Sequence, residues 1–262
     1  MEINKVENNV LNIVESGQFD LNFLLDSDLV INVFDNLSVT FDLRKYNDKN
    51  ILINVGKNSV CEFRFIVENT EKTLNLQGFC AEKAVFNVYY ADLSDGNTHI
   101  NLESNLKGKE SKTDIRYSVI SRDLNLKKYN ISINHFNDKT KSNFEGFGVA
   151  TGTSEIVSNC VSHIHEKCIK SEAHQISKII LFDEKSKAHA DPVLKIDCDD
   201  VVASHGVAIG ALNNDHIFYL KSRGLNNDEA RRLIVLGYLL PIKNYFGEKD
   251  AEKIANQING DF

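Results

Sequence analysis

The sequence predicts a mainly β chain that ends in a small helical tail, on three observations. Short segments alternating apolar and polar residues follow one another through most of the 262 residues. The gaps between them are rich in Asn, Asp, Gly, Ser and Lys, residues that favour turns. Only two prolines occur, at 192 and 241, so nearly every residue is free to donate to a strand ladder.

In order along the chain, LNIV, FDLNFLL, LVINVF, LSVTFDL, ILINV, CEFRFIV, TLNLQGF and AVFNVYY have the composition of short strands, and many show the period-2 alternation of half-buried ones. The strands are spaced at roughly 8–12 residues. They are expected to continue to about Leu220. No helical pattern interrupts them, which argues against a sheet built from βαβ units. A sandwich, a barrel and a solenoid remain. The long succession of short strands favours the solenoid, in which each coil buries its inner face against the next. Asparagines recur at Asn22, Asn32, Asn54, Asn75, Asn87 and Asn101, and stacked asparagines can hydrogen-bond along a ladder. There is no strict six-residue repeat.

The pattern changes after Gly224. NNDEARRLIVLGYLL places Leu233, Ile234, Leu236 and Leu240 at helical spacing. Asn226 is a candidate cap with Glu229 as its capping-box partner, and Pro241 is the stop. A second amphipathic helix is expected over about Glu248 to Ile258, with Ala251, Ile254, Ala255 and Ile258 as its apolar face. The chain therefore divides into a β core, 1–224, and a helical region, 225–262.

Composition narrows the function. The net charge is −7 and no long Lys/Arg cluster is present, which disfavours nucleic acid as a partner. The pairs Arg231-Arg232 and Lys127-Lys128 read as solvated surface. No apolar run approaches the ~20 residues of a membrane span. The first ten residues do not read as a signal peptide. Five cysteines at irregular spacing, without an export signal, read as reduced thiols in the cytoplasm.

Several motifs invite chemistry. In SNCVSHIHEKC, a continuous strand would turn His163 and His165 to one face and Cys160 and Cys168 to the other. All four then cannot bind one ion without a turn, and a wet histidine face over buried thiols is the plainer reading. FGVATGTSE carries Gly146, Gly148 and Gly152 but lacks the Lys-Ser/Thr ending of a phosphate loop, so the glycines read as tight corners. No G-x-S-x-G or H-E-x-x-H is present. Ser204 and His205 are adjacent and would point to opposite faces, a poor nucleophile–base pair. Asp199-Asp200 reads as a turn, although paired acids keep a solenoid carbohydrate-active enzyme as an alternative. By itself, His205 in S-H-G reads as structural.

The segment from KIILFDEKSK to LGYLL closely resembles the C-terminal core of the SufB/SufD family of iron–sulfur cluster assembly scaffolds. The matching features are Pro192-x-Leu194-x-Ile196, Asp200-Val201, Ser204-His205-Gly206, Gly210 and Phe218-Tyr219-Leu220-x-Ser222-Arg223-Gly224, with Ala230 and Gly237 in the following helix. The match is close over about 173–240; the upstream strands share only general character. The resemblance implies a right-handed parallel β-helix followed by a small C-terminal helical region. It also implies a non-enzymatic, cytoplasmic scaffold subunit. The helical region would dock SufC, an ABC-type ATPase, whose closure would be transmitted through the helices. Arg223, Gly224, Glu229, Arg231, Leu233, Leu236 and Tyr238 are the expected docking residues. The β-helix end would pair with a SufB-like subunit or with a second copy. A transient iron–sulfur cluster would form at that junction, with none bound by this chain alone.

S-H-G is similar to the SufD branch. SufB has a His-Glu pair where this chain has His205-Gly206, and a cysteine where Ile176 follows Gln175. A cysteine common in SufD two residues before the histidine is Ala203 here, and Cys198 is at the opposite strand parity. His205 is therefore the one metal-ligand candidate that carries over. Cys61, Cys80, Cys160 and Cys168 are expected to pack in the interior. The family's extra N-terminal helical segment is expected to be missing. A structural adaptor with no metal role is the remaining alternative.

Overall fold

The computed structural model describes residues 6–7, 9–21, 28–43, 48–68 and 71–260. The strands are β1 (Val6–Glu7), β2 (Val10–Ile13), β3 (Gly17–Asp20), β4 (Leu29–Val33), β5 (Ser38–Leu43) and β6 (Lys49–Val55). They continue with β7 (Val60–Ile66), β8 (Lys72–Cys80), β9 (Val85–Asp92), β10 (Thr98–Leu106), β11 (Lys112–Ser121) and β12 (Leu126–His135). The last are β13 (Lys141–Ala150), β14 (Glu155–Ile164), β15 (Ser171–Leu181), β16 (Lys187–Ile196) and β17 (Val201–Ala211). Even-numbered strands stack in one sheet and odd-numbered strands from β3 in the other. All these pairings are parallel except β1 with β2. The chain thus winds as a two-sided β-solenoid, the architecture preferred from the sequence. The segment FDLNFLL lies partly outside the described residues.

The coil has no fixed period. Paired residues are 20 apart at the start (Val10 with Val30), then 22 (Leu29 with Ile51) and 26 (Lys72 with Thr98). The step reaches 29 (Thr98 with Lys127) and 32 (Glu155 with Lys187) towards the other end. A solenoid that widens this way shows strand alternation but hides its repeat. One corner is made by Asn36, Asn58, Lys83, Glu110, Lys139 and Lys170, all left-handed at φ between 55° and 63°. Each donates its N–H to the corner of the next coil, as Asn58 does to the Glu82 carbonyl at 3.0 Å. Repeating the conformation lets the ladder continue through the turn, which offsets the strain on a side-chain-bearing residue.

The interior is filled by stacked side chains, one per coil. Phe19, Phe41 and Phe63 form a column at 5.7 and 6.3 Å between ring centroids. Phe65, Tyr90 and Tyr117 continue it at 4.8 and 5.1 Å. On the outer face of the even sheet, Asn12–Asn32–Asn54 and Asn75–Asn101–Asn130–Asn159 form side-chain ladders at 2.7–3.1 Å. Parallel in-register pairing brings identical side chains into this contact, as the asparagine content suggests. Asn87 instead accepts from the Asp114 N–H at 3.1 Å.

Three readings from the sequence need correction. Strands do not reach Leu220: β17 ends at Ala211, and Asn214–Ser222 forms helix α1, capped by the Asn213 side chain. The strand-like composition of HIFYL is overridden by that cap and by an acidic first turn. Gly146 and Gly148 are not corners. They lie within β13, facing inward, and a Cβ on Gly146 would sit 2.5 Å from the Tyr117 ring. Gly152, at φ +62°, does make a turn. Finally, Lys127 is not surface. Its side chain is 0% exposed, and its ammonium donates to Asp92 at 3.0 Å, the Ser94 hydroxyl at 2.8 Å and carbonyl at 2.9 Å, and Thr98 at 3.1 Å.

After α1 come α2 (Asn227–Leu239), a 3₁₀ turn (Leu240–Tyr245) and α3 (Glu248–Gly260). The capping box at Asn226 and Glu229 closes at 2.7 and 2.9 Å. Pro241 sits at the start of the 3₁₀ turn, where its missing N–H costs nothing. The helices fold back on the outer face of the odd sheet. Val235, Leu239, Ile242, Phe246, Ile254 and Ile258 pack with Ile66, Tyr89, Leu93, Ile120, Val149 and Ile180. The buried residues of α2 are Ala230, Val235 and Leu239, whereas Leu233 is 48% exposed. The helix is apolar on two sides, so its spacing does not reveal which side meets the sheet.

Candidate functional site: the uncovered last coil

Strands β16 and β17 end the solenoid, and nothing in the described chain covers them. In β15, Ser177 and Ile179 are each 2% exposed, being covered by β17. Their partners one coil on, Val207 and Ile209, are 41% and 37% exposed. Ile196 on β16 is 42% exposed. Both strands also present unpaired edges. An edge of this length with an apolar inner face is what a protein normally blocks or pairs.

His205 lies on β17 opposite Gln175 of β15. Gln175 is buried inside the coil and donates to the Ser162 hydroxyl at 2.6 Å. His205 therefore points to the inner side of the uncovered coil. Its Nδ1 lies 2.7 Å from the Pro192 carbonyl. A carbonyl only accepts, so Nδ1 carries the hydrogen and neutral imidazole keeps its lone pair on Nε2. Ser204 points the other way, with its hydroxyl 2.7 Å from His174. Ala203, at the parity of His205, pairs with Ala173. Cys198 precedes β17 and packs near Cys168 and Ala173, away from His205 along the strand. Asp199 and Asp200 form the bend into β17.

Cys61, Cys80, Cys160 and Cys168 are buried free thiols. Burial pushes the Cys80 thiol up to about 12 and raises Cys61 and Cys160 as well. In β14 the parity expected from the sequence holds: Cys160 faces inward, while the His163 side chain is on the outer face.

The expected docking residues fall into two sets. Leu233 and Tyr238 line a groove of about 350 Å³ between α1 and α2, with His216, Tyr219, Leu220, Ile234 and Gly237. Phe218 and Tyr219, exposed at 76% and 55%, add apolar surface on α1. Arg223 lies over the Tyr219 ring at 5.3 Å, and Gly224 makes the inter-helix turn at φ +102°. Glu229 and Arg231 are committed elsewhere. Glu229 closes the capping box, and Arg231 donates to the Phe182 carbonyl at 2.6 Å while stacking over its ring. Leu236 packs in part against the helix–sheet core. The local signal for α1 in the sequence is the cap Asn213 followed by Asp215 in the first turn.

Residues 28–238 match the family described as SUF system FeS cluster assembly, SufBD core domain. The chain belongs to the SufB/SufD family. Within it, the chain is similar to the iron–sulfur cluster assembly protein SufD of Bacillus subtilis, 30% identical over 152 residues, covering 58% of this chain and 35% of that protein. The SufBD family protein slr0076 of Synechocystis is 28% identical, covering 54% of this chain and 37% of the relative. SufD of Escherichia coli is 28% identical, over 34% and 21% respectively. The chain thus spans between about a fifth and a little over a third of these relatives' lengths. It is a SufD-like member of an iron–sulfur cluster assembly family. Among the described residues, no helix is long and apolar enough to cross a membrane.

Proposed function

We propose that this chain is a non-catalytic, cytoplasmic scaffold subunit that pairs through its last coil and presents its helical tail to an ABC-type ATPase. The observation that carries the reading is the uncovered coil itself, with Ile196, Val207 and Ile209 exposed along unpaired strand edges. A partner with the same fold, a SufB-like subunit or a second copy, supplies matching edges and inner faces. His205 then sits inside the junction, and its Nε2 is the nitrogen donor this chain offers to a cluster assembled there. The cluster is cargo in this reading, held between two subunits. The groove between α1 and α2 offers apolar walls for the ATPase, and α2 connects it to β13 and β15 through Arg231 and the helix–sheet core.

The test is co-expression with a SufC-like ATPase and a SufB-like subunit, followed by anaerobic size-exclusion chromatography with light scattering. A complex is expected that Leu233→Asp weakens at the ATPase step and Val207→Asp at the pairing step. His205→Ala is expected to lower cluster assembly while the complex remains intact. A chain that stays monomeric with both candidates overturns the reading. Intact assembly with His205→Ala removes His205 and favours a plain adaptor.

A further inference from the structure

A second cluster of donor groups lies away from His205, on the outer face of the even sheet. Its residues are His163, His165 and Asp197, whose ligand atoms all lie within 4.8 Å of one another. The fold makes this juxtaposition. The Asp197 N–H donates to the Ile164 carbonyl at 2.9 Å, extending the β14–β16 ladder one residue past the strands. The His165 N–H does the same to His135 at 3.1 Å. Lys107, Phe136, His165 and Asp197 thereby occupy the same position on four successive coils.

The rings are held in place. His165 stacks on Phe136 at 4.4 Å between centroids, and Phe136 carries the Lys107 ammonium on its ring at 3.4 Å. His163 lies against His165 at 3.7 Å between ring centroids, tilted by 33°, and its Nε2 is 2.7 Å from Asp197 Oδ2. A carboxylate only accepts, so His163 Nε2–H donates to Asp197 in the empty pair, and an ion held between the three groups takes the place of that hydrogen.

We propose that His163, His165 and Asp197 form a binding site for a divalent transition-metal ion of the Zn²⁺ or Fe²⁺ type. Two imidazoles and a carboxylate are borderline donors, suited to such ions and not to Ca²⁺ or Mg²⁺. Bonds of about 2.0–2.2 Å at roughly tetrahedral angles put the donors of one ion about 3.3–3.6 Å apart. His163 and Asp197, 2.7 Å apart, open slightly to admit an ion, and Asp197, whose side chain is 51% exposed, has room to rotate. Three protein ligands leave at least one position for water or an incoming ligand. The site is open to solvent, with the Lys107 ammonium one coil away on the Phe136 ring, so its affinity is expected to be below that of a buried site. The site is independent of His205 and stands or falls separately from the scaffold reading.

The test uses the full chain, stripped of metal by chelator and titrated anaerobically with Zn²⁺ against a chromophoric chelator, then with Co²⁺ as an optical probe. One equivalent of Zn²⁺ is expected, with weak visible Co²⁺ bands. His163→Ala and Asp197→Asn should each weaken Zn²⁺ by at least the ~10–100-fold that loss of an outer-shell partner costs. His205→Ala should change it less than about twofold. Nitrogen NMR of the wild-type imidazoles gives a readout that needs no variant, because Zn²⁺ should shift His163 and His165 and leave His205 alone. Equal binding by wild type and His163→Ala, no binding at all, or loss of binding with His205→Ala would each overturn the proposal.

Discussion

Lys127→Met isolates the energetics of the solenoid interior. The wild-type ammonium reaches four acceptors within 3.1 Å, and both it and Asp92 are 0% exposed. Methionine keeps most of the stem but leaves the Asp92 carboxylate with no cation. Three donors remain to Asp92: the Tyr129 and Ser94 hydroxyls, each at 2.6 Å, and the Ser94 N–H at 3.3 Å. Breaking a buried pair costs roughly 3–5 kcal/mol, and the remaining donors put this case near the lower end, about 3 kcal/mol. For a chain of this size that is a fall of about 6–12 °C in Tm. Urea unfolding followed by far-UV circular dichroism measures it. Hydrogen exchange should show the loss concentrated in β9 to β12, because solenoid coils contact only their neighbours. The double variant Lys127→Met/Asp92→Asn removes both charges and should be more stable than Lys127→Met alone. A loss under about 1 kcal/mol in the single variant would refute the reasoning, since an uncompensated buried carboxylate must cost more. So would a double variant as unstable as the two singles added together.

Gly146→Ala places a methyl 2.5 Å from the Tyr117 ring and 2.6 Å from its hydroxyl. Overpacking should cost about 1–3 kcal/mol in urea unfolding, and Tyr117→Leu in the same chain should return part of it. His135 is buried between the Thr140 and Ser142 hydroxyls at 2.7 and 2.9 Å, and burial pushes its pKa down to about 4. The unfolded chain then binds the extra proton first, so stability falls as pH drops from about 6.5 to about 4. The loss attributable to His135 is of order 3 kcal/mol, and His135→Gln should flatten that part of a denaturation series across pH.

The sequence by itself determined that the chain is β-rich, that asparagines recur where a ladder can stack them, and that Asn226 and Glu229 start a helix. Each of these rests on local chemistry: period-2 alternation, side chains repeated in register, and a cap three residues from its partner. It also carried the family resemblance and the single histidine, because those motifs are contiguous. Tertiary structure decided what depends on which coil lies beside which. Lys127 is buried because Asp92 and Ser94 lie across the coil from it, more than 30 residues earlier. Gly146 is small because Tyr117 fills the space one coil before. Asp197 joins His163 across 34 residues of chain, a separation with no local signature. A solenoid whose step grows from 20 to 32 residues gives no fixed spacing from which such partners follow, so only the folded register brings them together.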